Sequence, residues 1–302
     1  MNSIKSASTV GEALEQVMAA LQGSEAYYGH GTDNAWDEAV QLVLWSAGLP
    51  ADSDDSVLPL PLSAAQALSV AEVLRRRIEE RVPLPYLTGE AWFAGLRWQC
   101  DPRAIIPRSP IAELLQAGYR PWYRGPSPSR ILDLCCGGGC IGLATAWYLP
   151  DARVDLLDLD AEALALAAEN AQALGLTDRV RLLQSDLFAA VPGERYDIIV
   201  SNPPYVDDAD LSSMPAEYAH EPALALGSGA DGLDLTRRIL ARAADYLQPH
   251  GLLVVEVGNS WEALEKAFPQ LPFTWLEFEH GGHGVCVLSA QELRQNQSSL
   301  QE

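Results

Sequence analysis

Lysine is nearly missing from this chain. Among 302 residues only Lys5 and Lys266 are lysines, and 20 Lys and Arg face 41 Asp and Glu, for a formal net charge of −21. A field of that sign repels phosphate backbones and attracts basic partners. Direct nucleic-acid binding is therefore not expected, and a strongly basic protein is the favoured substrate. Solubility alone would account for the same charge. Long apolar runs are missing too: none approaches the ~20 residues of a membrane span. The opening Met1-Asn2-Ser3-Ile4-Lys5 lacks the apolar core of a signal peptide, so no membrane partner is expected. Cysteine is scarce and odd in number, five in all, at 100, 135, 136, 140 and 286. Three of them sit in one tight loop, which is no disulfide framework, and a reducing cytoplasm is the expected compartment.

Strand signals are absent from residues 1–85. Val10, Leu14, Val17, Met18 and Leu21 recur at helical spacing, a second helix follows the cap candidates Asp33 and Asn34, and a third follows Ser63. The third helix has its expected core face at Leu68, Ala71, Leu74 and Ile78, which puts the run Arg75-Arg76-Arg77 on a solvated face. Residues 86–128 read as a β-hairpin around Ala94-Gly95 and a proline-rich linker. From 129 to 302 strand and helix patterns alternate, which implies βαβ units, a mainly parallel sheet and an α/β fold. Phe273 to Glu279 and Val285 to Leu288 are expected as the last two strands.

Two stretches of this region carry chemistry. The first is the loop Cys135-Cys136-Gly137-Gly138-Gly139-Cys140 after the strand Ile131–Leu134. Gly137-x-Gly139-x-x-Gly142, with Asp158 roughly 20 residues further on, is a literal dinucleotide fingerprint. Glycines let backbone approach a ligand, and an acid after the second strand takes ribose hydroxyls, so an NAD-dependent dehydrogenase competes for this pattern. Asp133, late in the first strand, and Ser185-Asp186 after the third resemble the placement of the acids in methyltransferases that bind S-adenosylmethionine, where the second pair contacts adenine. The cysteines of this loop fit as small residues, and no metal is expected there or at His280, His283 and Cys286.

The second stretch is Ser201-Asn202-Pro203-Pro204-Tyr205, after the β-branched run Ile198-Ile199-Val200. Two prolines stop the strand and hold Asn202 and Pro203 extended at its carboxyl end, where α/β sheets place their ligands. The amide oxygen of Asn202 and the carbonyl of Pro203 could hold both hydrogens of a planar –NH2 group, with the ring of Tyr205 as a lid. Hydride transfer has no use for such a corner. The acids after it, Asp207, Asp208, Asp210, Glu217 and Glu221, are candidates for steering a basic substrate.

Asn-Pro-Pro-Tyr resembles the signature of amino-methyltransferases, which act on adenine amines or glutamine amides. The likeness extends along nearly the whole chain, through Tyr28–Asn34 with Trp36–Leu44, Ile106–Ile111, Glu217–Pro222 and Pro272–Phe278. On these segments the chain resembles the bacterial protein-glutamine methyltransferases, the PrmB/HemK group, and within it the branch acting on a large-subunit ribosomal protein, L-three. The release-factor branch, whose Ile-Pro-Arg-Pro-Asp-Thr-Glu type linker is absent here, is the alternative. Adenine methylation is disfavoured by charge.

The resemblance implies a Rossmann-like class I methyltransferase sheet in residues 129–302, a helical substrate-recognition domain in 1–85, and a hairpin linker. It implies S-adenosylmethionine as cofactor, held by Asp133, Cys135, Cys136, Gly137, Gly138, Gly139, Asp158, Asp186, Leu187 and Asn202, with S-adenosylhomocysteine as its product. It also implies a substrate amide held by Asn202, Pro203, Pro204 and Tyr205. Two departures stand out: Cys135-Cys136 displace a hydroxyl-bearing position of the loop, and Leu187 replaces a tryptophan that stacks on adenine in the release-factor branch.

Overall fold

The computed structural model describes residues 8–300. The chain divides into two compact units. Unit 1 runs to Ala91 and also takes in Pro215–His220, while unit 2 holds Trp92–Met214 and the chain from Glu221 onward.

Unit 1 contains α1 (Val10–Gln22), α2 (Ala35–Ala47), α3 (Ala64–Glu79) and the short α4 (Leu84–Thr88). The first three start at side-chain caps, Thr9, Asn34 and Ser63, and Ser63 with Gln66 forms a capping box. Their apolar stripes meet in a core of Leu14, Val17, Leu42, Val43, Val70 and Leu74.

The face of α3 is rotated from the expected one. Leu68 is 57% exposed, and Arg77 is 1% exposed. Arg75 and Arg76 do lie in solvent among Glu72, Glu79 and Glu80, but Arg77 is a core residue. Its Nε donates to Glu38 Oε1 at 2.6 Å, Nη1 to Glu217 Oε1 at 2.9 Å and Nη2 to the Tyr27 carbonyl at 2.7 Å. Arg81 adds two donors to the Glu217 carboxylate, both at 2.7 Å. A guanidinium is buried there because each face of its fork meets an acceptor.

Unit 2 opens on the hairpin of β1 (Glu90–Phe93) and β2 (Leu96–Gln99), followed by α5 (Ile111–Gln116). The turn residues Ala94 and Gly95 both have positive φ, 51° and 74°. Then come β3 (Arg130–Leu134), α6 (Cys140–Tyr148), β4 (Arg153–Asp158), α7 (Ala161–Ala173), β5 (Val180–Gln184), β6 (Tyr196–Ser201) and α8 (Asp208–Ser213). The rest is α9 (Asp234–Tyr246), β7 (Leu247–Glu256), α10 (Trp261–Ala267), β8 (Thr274–Trp275), β9 (Val285–Ser289) and α11 (Ala290–Gln295).

The strands form one sheet in the order β5-β4-β3-β6-β7-β9-β8, parallel except for β9, which runs antiparallel to both neighbours. Both faces of the central strands are buried, so they read as continuous apolar runs. Ile131, Ile198, Val200 and Val254 enter one layer; Leu132, Leu134, Ile199 and Leu253 enter the other. The strand expected over Phe273–Glu279 shrinks to two residues. Beyond it the backbone N–H groups of Glu279 and His280 turn to the Glu113 carboxylate, each at 2.8 Å, and leave the ladder.

The order of strands reverses between β3 and β6, since β3 leads outward to β4 while β6 leads the other way to β7. In such sheets the crevice at that reversal, outside the carboxyl ends, is where a ligand fits. The glycine loop leaves β3 there, and the Asn-Pro-Pro-Tyr corner leaves β6 beside it.

Candidate active site

The loop after β3 follows from backbone requirements. Cys135, Gly137 and Gly139 all have positive φ, 59°, 53° and 83°. A Cβ at Gly139 would approach Ala167 and Leu143 within 3.0 Å, so glycine there permits α6 to pack against α7. The Gly137 N–H donates to Asp158 Oδ2 at 2.7 Å, and the Asp160 N–H to Asp158 Oδ1 at 2.9 Å. Burial raises the pKa of Asp158 above the ordinary value, and these two donors partly offset it.

A cavity opens over this loop. It is lined by Cys135, Gly137, Asp158, Asp186, Leu187, Asn202 and Pro204, with Arg103, Ala104, Leu159, Ala163, Leu224 and Arg238 among the others. With Ser185, which also lines it, eight of the residues singled out in the sequence are thus brought together.

The remainder are not on its wall. Asp133 is 1% exposed, and its Oδ2 accepts the Gly142 N–H at 2.7 Å, while Oδ1 has no hydrogen-bond partner among the described residues. Burial pushes its pKa up to about 8, so at neutral pH it is largely a protonated carboxyl that ties β3 to α6. Cys136 is buried, and the Gly138 carbonyl accepts from Asn170 Nδ2 at 3.1 Å, so these residues shape the loop from behind. Burial raises the thiols of Cys135, Cys136 and Cys140 above their ordinary value, so all three are neutral.

Asp186 carries a partner of its own. Both of its carboxylate oxygens lie 2.7 Å from Arg238 Nη2, on α9. That arginine, together with Arg103, carried no sequence signal. Arg103 is also neutralised, by Asp101 at 2.7 Å and Glu169 at 2.7 Å, so the cavity has cations on its rim but little net positive charge.

The corner is over-determined. Ser201 Oγ donates to the Leu134 carbonyl at 2.8 Å and joins the ends of β6 and β3. Pro203 and Pro204 are buried, while Asn202 and Tyr205 are half-buried. Tyr205 is held at three points by the end of β7 and the turn after it. Its carbonyl accepts from Ser260 Oγ at 2.8 Å, its hydroxyl donates to Glu256 Oε1 at 3.3 Å, and its ring lies against Gly258. A Cβ on Gly258, whose φ is +46°, would lie 2.5 Å from that ring.

The acidic loop beyond the corner is sorted by the structure. Asp207, Asp208 and Asp210 are at its surface. Glu217 and Glu221 are buried, Glu217 by Arg77 and Arg81, and Glu221 by a two-pronged pair with Arg108 at 2.6 Å and 2.6 Å. Those two carboxylates are structural, which removes them from any steering role; the spacing of charges in the sequence carries no sign of the difference.

Residues 124–226 match the family model of the methyltransferase small domain. A ribosomal protein uL3 glutamine methyltransferase of Bordetella pertussis is 45% identical over 286 residues, 94% of this chain and 96% of the relative. Another of the same name, from Francisella tularensis, is 44% identical over 286 residues, 94% of this chain and 91% of its own. The chain belongs to the ribosomal protein uL3 glutamine methyltransferases.

Membership in this family decides the double meaning of the glycine loop in favour of a methyltransferase over hydride transfer. The fold agrees: the hMettl16 catalytic domain, solved with the MAT2A 3'UTR hairpin 6, superposes with a TM-score of 0.50 at 16% identity, over 74% of this chain and 81% of that one. No described helix of this uL3 glutamine methyltransferase family member is long and apolar enough to cross a membrane.

Proposed function

We infer that this enzyme transfers the methyl group of S-adenosylmethionine to the side-chain amide nitrogen of a glutamine in ribosomal protein uL3, in the cytoplasm. The observation that carries the reading is that Asn202 and Pro204 line the same cavity as Cys135, Gly137 and Asp158. The cavity suits an adenosine with a cationic sulfur. Asp158 can accept from ribose hydroxyls, Gly137 brings backbone close, and Leu159, Ala163, Leu187 and Leu224 offer apolar surface to a ring. When bound, S-adenosylmethionine supplies an electrophilic methyl on a sulfonium.

The chain's own residues address the nucleophile. A carboxamide nitrogen is weak because its lone pair is delocalised into the carbonyl. Asn202 Oδ1 and the Pro203 carbonyl each accept one N–H, which turns the nitrogen lone pair towards the cavity. The ring of Tyr205 covers the amide plane. Positioning of this kind contributes ~7–11 kcal/mol in favourable cases, so the corner needs no strong base beside the nitrogen. As the N–C bond forms and the S–C bond breaks, S-adenosylhomocysteine would leave with the sulfur's electron pair and one amide proton would pass to solvent. The acidic surface, with net charge −21, suits a basic ribosomal protein. Labelled methyl transfer from S-adenosylmethionine, offered separately to isolated large-subunit ribosomal proteins, a release factor and DNA, tests the assignment. Label in uL3 is expected, and label confined to the release factor or DNA would overturn it.

A further inference from the structure

Glu256 ends β7, directly beside the strand that delivers Asn202, since β6 and β7 pair in parallel through Ser201 and Val255. It is 5% exposed. Among the described residues no salt bridge reaches it. Instead two hydroxyl donors do, Ser109 Oγ at Oε2, 2.5 Å, and Tyr205 Oη at Oε1, 3.3 Å, and the side chain of Asn202 lies near enough to lower its pKa. The other ionisable groups facing it are the Arg108 guanidinium and the Cys140 thiol. Arg108 is engaged by Glu221, and the residue paired with Glu256 on β9 is the apolar Val285.

We propose that Glu256 is a positioning residue that sets the orientation of the Asn202 amide and the Tyr205 ring for the incoming glutamine. This rests on the function inferred above. The argument is one of donors and acceptors. An ionised carboxylate only accepts, so the part of the Asn202 amide turned to it must be the NH2 group. The amide oxygen then faces away, towards the substrate, where an acceptor is required. A protonated Glu256 can donate to the same amide and permits the flipped arrangement. The flipped Asn202 presents N–H groups to the N–H groups of the glutamine, donor against donor, and the substrate amide is no longer held.

Burial pushes the pKa of Glu256 up to about 7, against the opposing effect of its hydrogen-bond donors. The switch between the two arrangements therefore falls near neutrality. Glu256 does not line the cofactor cavity, so its loss spares cofactor affinity.

The test follows the Asn202 side-chain NH2 resonance by 15N NMR, assigned by its disappearance in Asn202→Ala, between about pH 5 and pH 9. The resonance is expected to titrate near pH 7 in the natural protein, to stop titrating in Glu256→Gln, and to titrate at higher pH in Ser109→Ala, where the carboxylate has lost one donor. In parallel, kcat for uL3 methylation should fall on the acid side of pH 7 in the natural enzyme. In Glu256→Gln kcat should be lower by on the order of 10- to 100-fold and lose that acid limb, with an unchanged Kd for S-adenosylmethionine. A resonance insensitive to pH, or an acid limb that survives in Glu256→Gln, overturns the proposal. The resonance reads the clamp without turnover, so absence of methyl transfer to uL3 would strike the assigned reaction and leave the clamp to be judged by its titration. Should Glu256→Gln fail to fold, a titration unmoved by Ser109→Ala overturns it equally.

Discussion

Glu217 in unit 1 and Glu256 in unit 2 are the same residue type at nearly the same depth, and they behave in opposite ways. Glu217 is completely buried and receives two guanidinium groups and the Tyr27 N–H. Those partners overcome the burial penalty and hold its pKa down to about 2. Glu256 accepts from neutral hydrogen-bond donors, its cationic neighbour Arg108 is engaged by Glu221, and burial wins, holding its pKa near 7. Burial alone thus predicts the state of Glu256 and fails for Glu217. A carboxyl locked as an anion across the working pH range is suited to holding a loop. One poised near neutrality is suited to a site where an orientation has to be chosen. Arg77 and Arg81 are what separate the two.

The largest effect is expected where the comparison is broken outright. Glu217→Ala leaves Arg77 buried with Glu38 as its one remaining carboxylate. Removing one partner of a buried ion pair costs roughly 3–5 kcal/mol, which denaturant unfolding would read as a lower midpoint. The pH dependence should separate the two carboxyls by sign. The Glu217 pKa is depressed from 4.5 to about 2, so its stabilisation is present above pH 4.5 and is lost as pH falls towards 2. The Glu256 pKa is raised from 4.5 to about 7, so its favourable protonation is fully present below pH 4.5 and lost as pH rises through 7. Each spans a window worth on the order of 3 kcal/mol at 1.4 kcal/mol per pH unit. A stability profile in which Glu217→Gln flattens the alkaline side, not the acid side, would contradict the contrast.

Asn202→Ala comes next. It removes the acceptor that orients the substrate amide while leaving the glycine loop and Asp158 intact. We expect kcat to fall by about 100-fold or more and the Kd of S-adenosylmethionine to change by no more than a few-fold. Equal losses in both would contradict the assigned role. Gly258→Ala should lower kcat less. The added Cβ would lie 2.5 Å from the Tyr205 ring in a backbone with φ of +46°, so the ring must shift while Asn202 keeps its own place. Rates measured for both variants at saturating cofactor would rank the two contributions.

Much of this was legible before the structure. The alternation of β-branched runs with helical spacing implied the parallel sheet, and the two prolines after Val200 marked the corner, because proline cannot continue a ladder. What was not legible is which charges are buried. Arg75, Arg76 and Arg77 are indistinguishable in sequence, and only the rotation of α3, set by Ala67, Val70 and Leu74 entering the core, puts Arg77 inside. Glu217 and Glu221 look like the aspartates before them until their arginines, from distant segments, are in place. Glu256 has no local motif at all. It sits in an apolar strand, and a lone acid closing such a strand is the one signal that could have found it. Asp133, which the resemblance places among the cofactor contacts, is instead buried with its Oδ2 accepting the Gly142 N–H of α6, a partner that its place in the strand does not reveal.

The smallest effect concerns the acids that remain at the surface. With Glu217 and Glu221 committed to arginines, any attraction of a basic substrate by this loop falls to Asp207, Asp208 and Asp210. The first of these also caps α8, its side chain accepting from the Asp210 N–H at 2.7 Å, so asparagine, which caps as well as aspartate, is the substitution that removes charge without removing the cap. The triple change to Asn lowers the charge by three of 21 and touches no buried group. Association with uL3 should slow by a few-fold at low salt, and the dependence of the rate on salt should flatten, while kcat at saturation stays as it was. If the rate instead keeps its full salt dependence, the attraction resides in the charge of the whole surface, and the loop after the corner serves only to carry Glu217 and Glu221 to their arginines.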